Sequence, residues 1–217
     1  MELKHPTFIF NIGKPGSGKT TLSRWLVDFF FTTGQVSRIM VVTPNTEHYP
    51  ELPEHSVFGQ CESCVKATRK NKEKKCMFKR ILEYQDNANR NGCLEPMLLV
   101  IDDQVGSFED DCCKKLGSRH RHLNLTIIIN AHGPTNIGSK FRSYAQHIFC
   151  FKMTQEIDLK NVGGLVGINR AKKMQEMMDI LIRNEKFRAF YFNRNETVYS
   201  SFKCPTQTES YYDTVPF

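Results

Sequence analysis

Thr7-Phe8-Ile9-Phe10-Asn11-Ile12-Gly13-Lys14-Pro15-Gly16-Ser17-Gly18-Lys19-Thr20 is the stretch that decides the fold. Its second half, Gly13 to Thr20, completes the phosphate-binding pattern G-x-x-x-x-G-K-[ST]. Its first half is apolar and β-prone, with the look of a buried strand, and Thr20 to Phe31 follows as a helix candidate. Strand, glycine-rich loop and helix in that order are what triphosphate binding requires. The glycines let backbone N–H groups converge on phosphate oxygens, and the helix N-terminus adds its positive dipole end. Gly13, Lys14, Pro15, Gly16, Ser17, Gly18, Lys19, Thr20 and Thr21 are the candidate nucleotide-binding residues. Lys19 is positioned to reach the β- and γ-phosphates and the Thr20 hydroxyl to ligate Mg²⁺, so ATP and Mg²⁺ are the expected cofactors.

Outward from this loop, the chain alternates apolar runs with helix candidates. Gly34 ends the first helix, and Ser37 to Thr43 reads as a second strand closed by Pro44-Asn45. Residues 46–92 are polar and irregular, with a helix expected around Met77 to Asn87, and read as an insertion on the frame. Met97-Leu98-Leu99-Val100-Ile101 runs into Asp102-Asp103, as a parallel strand buried on both faces would. Leu125 to Asn130 and His147 to Lys152 are two more such runs. A helix over Arg170 to Arg183 gathers Met174, Met177, Met178, Leu181 and Ile182 on one face, a pattern that reads as core. Phe187 to Phe192 and Thr197 to Phe202, separated by Asn193-Arg194-Asn195, predict a terminal hairpin. The architecture implied is α/β: a P-loop NTPase with a mostly parallel central sheet flanked by helices and sites at the strands' carboxyl ends. One domain over 1–204 and a loosely ordered tail over 205–217 are expected.

Charge and cysteine usage narrow the partners. The 217-residue chain carries a formal charge of +7. Lys66 to Arg80 holds eight basic residues against the single Glu73, which accounts for all of that excess. Such a run either grips a phosphate backbone or forms a solvated face. No run approaches the roughly 18 apolar residues of a membrane span, and no basic segment followed by an apolar core opens the chain. Neither membrane association nor secretion is expected. Eight cysteines, two of them adjacent at Cys112-Cys113, point to free thiols in a reducing compartment. Cys61-x-x-Cys64 supplies half of a tetrahedral zinc site that Cys76 and Cys93 could complete, with His48 and His55 as alternative ligands and unliganded thiols as the competing reading.

Asp102 and Asp103 read as the second half of the nucleotide site. Hydrolysis needs one carboxylate to hold Mg²⁺ and another acceptor to orient the attacking water. Asp102 is assigned to the metal and Asp103 to the water. At the end of the following strand, Asn130-Ala131-His132 offers a sensor for the γ-phosphate, provided that strand lies between the P-loop strand and the Asp102 strand. His132 is the first choice and Asn130 the second.

The P-loop, the strand ending Ile101-Asp102-Asp103, Arg119-His120 before the next strand, and the later Lys140-Phe141-Arg142-Ser143 together resemble the poxvirus-type genome-packaging ATPases of the FtsK–HerA superfamily. These occur in large DNA viruses, virophages and self-synthesising transposons. The resemblance covers roughly residues 7 to 152. It implies a homo-oligomeric ring threading double-stranded DNA, a capsid or portal partner, and residence in the host cytoplasm, viral factory or virion. It also implies an arginine reaching the neighbouring subunit's γ-phosphate, for which Arg142, Arg119 and Arg121 are candidates. Lys19, Asp103, His132 and Arg142 form the expected catalytic set. The family's usual sensor is Gln where this chain has His132, and an imidazole's charge changes near neutral pH. Two other functions stay open. One is a nucleoside kinase of the viral thymidine-kinase type, though the Met-Phe-Ser-Gly-Lys pattern of those enzymes is missing. The other is a DNA-binding scaffold switched by ATP.

Overall fold

The computed structural model describes residues 3–59, 76–103, 111–183, 185 and 187–205. Eight strands form one sheet in the order β3-β2-β4-β5-β1-β6-β7-β8. The strands are β1 (Phe8–Ile12), β2 (Arg38–Val42), β3 (Val57–Phe58), β4 (Met97–Asp102), β5 (Leu125–Ala131), β6 (His147–Phe151), β7 (Arg188–Asn193) and β8 (Val198–Lys203). From β3 through β6 every pairing is parallel, and β7 and β8 add an antiparallel hairpin at one edge. β5 therefore separates β1 from β4, the placement a γ-phosphate sensor needs.

The central strands are apolar on both faces, and their side chains sort by parity. Ile9, Leu98, Val100 and Ile128 face one cluster, into which helix α1 (Lys19–Thr32) inserts Leu22, Leu26, Val27 and Phe30. Phe8, Phe10, Leu99, Ile101, Ile127 and Ile129 face the other. That second layer is closed by α2 (Met77–Arg90), α3 (Asp111–Arg119), α4 (Ser139–Ser143), α5 (Glu156–Leu165) and α6 (Ala171–Ile182). Met174, Met178 and Ile182 of α6 are buried there and Met177 and Leu181 pack against the cluster, so the methionine stripe is core.

Within the stretch 46–92, the described parts at either end pack onto the frame. Val57–Phe58 extends the sheet beside β2, and α2 buries Phe78, Ile81, Leu82 and Gln85 at helical spacing against the sheet. A polar outer face masks that inner one in composition. Cys61, Cys64, the basic run from Lys66 to Lys75 and the tail from residue 206 lie outside the described residues. The proposed four-cysteine site is corrected by α2 itself. Cys76 caps its start and Cys93 follows its end, so its 14 residues put the two thiols roughly 20 Å apart. Two ligands of one zinc must lie within about 4 Å of each other.

Candidate nucleotide site

The phosphate loop closes over β1 with Gly13 N–H donating to Ala131 O at 3.1 Å, Ser17 N–H to Lys14 O at 3.2 Å and Leu22 N–H to Gly18 O at 2.9 Å. Gly16 and Gly18 take φ of 73° and 107°, values that glycine adopts at no steric cost. Gly18 thereby turns the chain directly into α1. The Lys19 side chain runs inside the loop, with Nζ donating to Gly13 O at 2.8 Å and Lys14 O at 3.1 Å. Burial pulls its ammonium below the ordinary lysine range, while Asp103 and Asp102 push it back up. Lys14 lies exposed at the rim and reaches Thr154 Oγ1 at 3.2 Å.

Strand parity builds the floor. Asn11, Asn130 and Asp102 lie side by side in register on β1, β5 and β4, all on the α1 face. Asn130 Nδ2 donates to Asp102 Oδ1 at 2.6 Å, and Asn130 Oδ1 accepts from Asn11 Nδ2 at 2.9 Å and Ser23 Oγ at 2.8 Å. Asp102 Oδ2 accepts from Thr20 Oγ1 at 3.2 Å and from the Tyr49 hydroxyl at 2.9 Å. Asp102 is only 1% exposed, so these donors replace the water a carboxylate otherwise demands. Asn130 is thus the brace of Asp102 and not a group aimed at the phosphate.

His132, two residues beyond Asn130, stands over the loop instead. Its Nδ1 is 3.4 Å from Lys19 Nζ and its Nε2 3.4 Å from Asp103 Oδ1. Asp103, with φ of 49°, turns out of the strand and is half-buried. Burial and then the charge of Asp102 raise its carboxyl above the usual range, against the pull of Lys19, His132 and His48. Among the described residues no cluster of three His, Cys, Asp or Glu could hold a metal. The donors that do meet, Thr20 and Asp102, are hard oxygens. That set fits Mg²⁺, which takes one or two protein oxygens and completes its shell with water and phosphate.

Lys19, Thr20, Asp102, Asp103 and His132 come together as the sequence leads one to expect. Arg142 does not join them. It sits on α4 beside Phe141, whose ring packs edge-on against Phe8 at the opposite end of β1 from the loop. The Arg142 Nε is buried without a hydrogen-bond partner, and burial lowers its pKa. Arg119 is committed elsewhere, its two terminal nitrogens gripping Asp86 of α2 at 3.0 and 2.5 Å. Arg121 is exposed. Three further contributors lie outside the motifs: Tyr49, Asn11 and Ser23. Asn11 carried a signal, as one polar residue inside an apolar strand at the register of Asn130. Tyr49 carried none, coming from a short 3₁₀ turn after β2.

No curated protein matches the chain. Among solved structures, the genome packaging NTPase B204 from Sulfolobus turreted icosahedral virus 2, in complex with AMPPCP, aligns over 95% of this chain and 100% of its own at 11% identity, with a TM-score of 0.66. The pCW3 conjugation coupling protein TcpA, with ATPgS, aligns over 94% of this chain and 61% of its own at 14% identity and a TM-score of 0.65. The cytoplasmic domain of the Thermomonospora curvata Type VII secretion ATPase EccC aligns over 95% of this chain and 27% of its own, at 12% identity and a TM-score of 0.60. At these identities the likeness speaks for the fold, that of P-loop NTPases. The model of one family, the Poxvirus A32 protein, matches residues 2–214. With that match over nearly its whole length, and with a P-loop and paired aspartates built as an ATPase requires, the chain belongs to the poxvirus A32 protein family.

Proposed function

We propose that the protein is an ATP-hydrolysing motor that translocates double-stranded DNA and packages a viral genome into a capsid. The observation that carries this reading is the convergence of Lys19, Thr20, Asp102, Asp103 and His132 on one point at the end of β1, β4 and β5. A nucleotide-switched scaffold needs only the loop, whereas a hydrolase needs a second carboxylate facing it. Family membership and the naming of B204 as a genome packaging NTPase support the packaging role, and set the nucleoside kinase aside.

In this reading Lys19 leaves the loop carbonyls to neutralise the β- and γ-phosphates, and Thr20 and Asp102 would hold Mg²⁺, which would supply further withdrawal of charge from the triphosphate. Asp103, held above the usual carboxylate range, accepts a proton from the attacking water as its oxygen bonds to the γ-phosphorus and the bond to the β–γ bridging oxygen breaks. His132 donates to a γ-phosphate oxygen in place of the glutamine usual in the family. Arg142, remote from its own loop, serves the neighbouring subunit of a ring. The basic run grips the DNA backbone, and the work is done in the host cytoplasm or viral factory. No described helix is long and apolar enough to cross a membrane.

Phosphate release from purified protein, measured with and without double-stranded DNA and with nucleosides as a control, tests the reading. Stimulation by DNA is the expected result. Phosphorylated nucleoside, or binding without turnover, contradicts it.

A further inference from the structure

Phe187 takes φ of 58°, a left-handed backbone that a bulky residue adopts only where its surroundings over-determine it. Its carbonyl accepts from Cys204 N–H at 2.9 Å, and its ring packs on the phosphate loop. A Cβ placed on Gly18 would stand 2.6 Å from Phe187 Cδ1, and one placed on Gly13 would stand 2.8 Å from Phe151 Cβ. Glycine at both positions lets two aromatic rings close onto the loop backbone. Beside them opens a cleft of about 340 Å³ whose lining includes Gly16, Ser17, Phe151, Glu185, Phe187 and Arg188. Arg188 is fixed at its rim, donating from Nη1 to Ser201 Oγ and from Nη2 to Glu185 Oε2, both at 2.7 Å, while its Nε is buried without a hydrogen-bond partner.

The cleft's place in the sheet gives it a role. β6 and β7 lie on one side of β1, and β5 and β4 with His132, Asp102 and Asp103 lie on the other. A triphosphate seated in the loop with its γ end toward those groups must send its nucleoside end the opposite way, toward Phe151 and Phe187. We infer that this cleft is the nucleoside subsite, with the Phe187 ring as the surface on which the base stacks and Arg188 at its polar rim. The inference rests on the reading that the P-loop holds the triphosphate. Every base has a π-face, so stacking tolerates any base while distinguishing a nucleotide from bare phosphate. The subsite therefore takes ATP and GTP with similar affinity.

The test compares Mg²⁺-dependent binding of ATP, GTP and inorganic tripolyphosphate by calorimetry. Wild-type protein should bind both nucleotides at least about tenfold more tightly than tripolyphosphate, from the usual worth of base–aromatic stacking. Phe187→Ala should lose that margin for both nucleotides and leave tripolyphosphate unchanged, while Phe187→Tyr should keep it. Equal loss for all three ligands, or no loss for any, overturns the inference. Failure of the phosphate-loop reading has a different signature: Lys19→Ala would leave tripolyphosphate binding intact. Photolabelling of wild-type protein with 8-azido-ATP gives an answer that does not depend on a variant folding. Adducts should map to peptides containing Phe151 or Phe187, and adducts confined to the β2–β4 side refute the assignment.

Discussion

Each of the two adjacent aspartates is fitted by its surroundings to a different task. Asp102 is enclosed by Thr20, Tyr49 and Asn130, so its oxygens are directed before any metal arrives. Asp103 is left half-buried, carries an Oδ1 without a hydrogen bond, and is raised by burial and by its neighbour's charge. The sign of that shift makes a prediction about stability. Between the carboxylate's value in the unfolded chain and its raised value in the fold, the native state binds more protons, so stability falls as pH rises through that window. The penalty persists above it. Asp103→Asn should therefore be more stable than wild type at pH 7 in urea unfolding, with the difference closing as pH falls through the window. It should bind Mg-ATP and fail to hydrolyse it. Tyr49→Phe tests the other aspartate. Removing a buried hydroxyl that donates to a carboxylate should cost about 1.5–3 kcal/mol in urea unfolding, and the Mg²⁺ concentration for half-maximal turnover should rise. Asp102, Asp103 and Lys19 were readable in sequence because their motifs name the chemistry. Tyr49 was not, because only the folded path of the polar stretch after β2 brings its hydroxyl to Asp102.

At the level of elements, the layer above the sheet on the nucleotide side is carried by α1. Phe30 is fully buried beneath it, and Phe30→Ala should destabilise the protein by about 3–5 kcal/mol, measurable as a lower urea midpoint with an unchanged slope. The strands and α1 were legible from the sequence since burial on both faces leaves continuous apolar runs. The order of strands was not, because parallel pairing depends on crossovers that no local pattern records. The helix expected around Met77 to Asn87 is α2, Met77–Arg90, and what its polar setting hid is how deeply one face is buried. Phe78, Ile81, Leu82 and Gln85 form that face, and the flanking charges mask it in composition. The terminal hairpin was foreseen, and Asn193 proved to be the last strand residue, its Oδ1 accepting from Asn195 N–H at 3.1 Å to start the turn. Phe187, two strands from β1, entered the site only through the hairpin's edge pairing with β6.

Over the whole chain, the excess positive charge is separate in sequence from the nucleotide-binding motifs. The formal +7 is accounted for by Lys66 to Arg80, outside both nucleotide-binding motifs. If Lys70, Lys72, Lys74 and Lys75 each contact a phosphate of duplex DNA, replacing all four with Gln should reduce the salt slope of log K by roughly 3 to 4 units. Basal hydrolysis should persist, and sequence preference should not change, since phosphate contacts position without specifying. The central claim is that hydrolysis at Asp102 and Asp103 drives movement along DNA. The measurement that tests it most directly is displacement of a triplex-forming oligonucleotide from duplex DNA. Wild-type protein with ATP should release the third strand, whereas Lys19→Ala with ATP, or wild type with a non-hydrolysable analogue, should leave it bound. DNA-stimulated phosphate release with the third strand still in place would contradict the account.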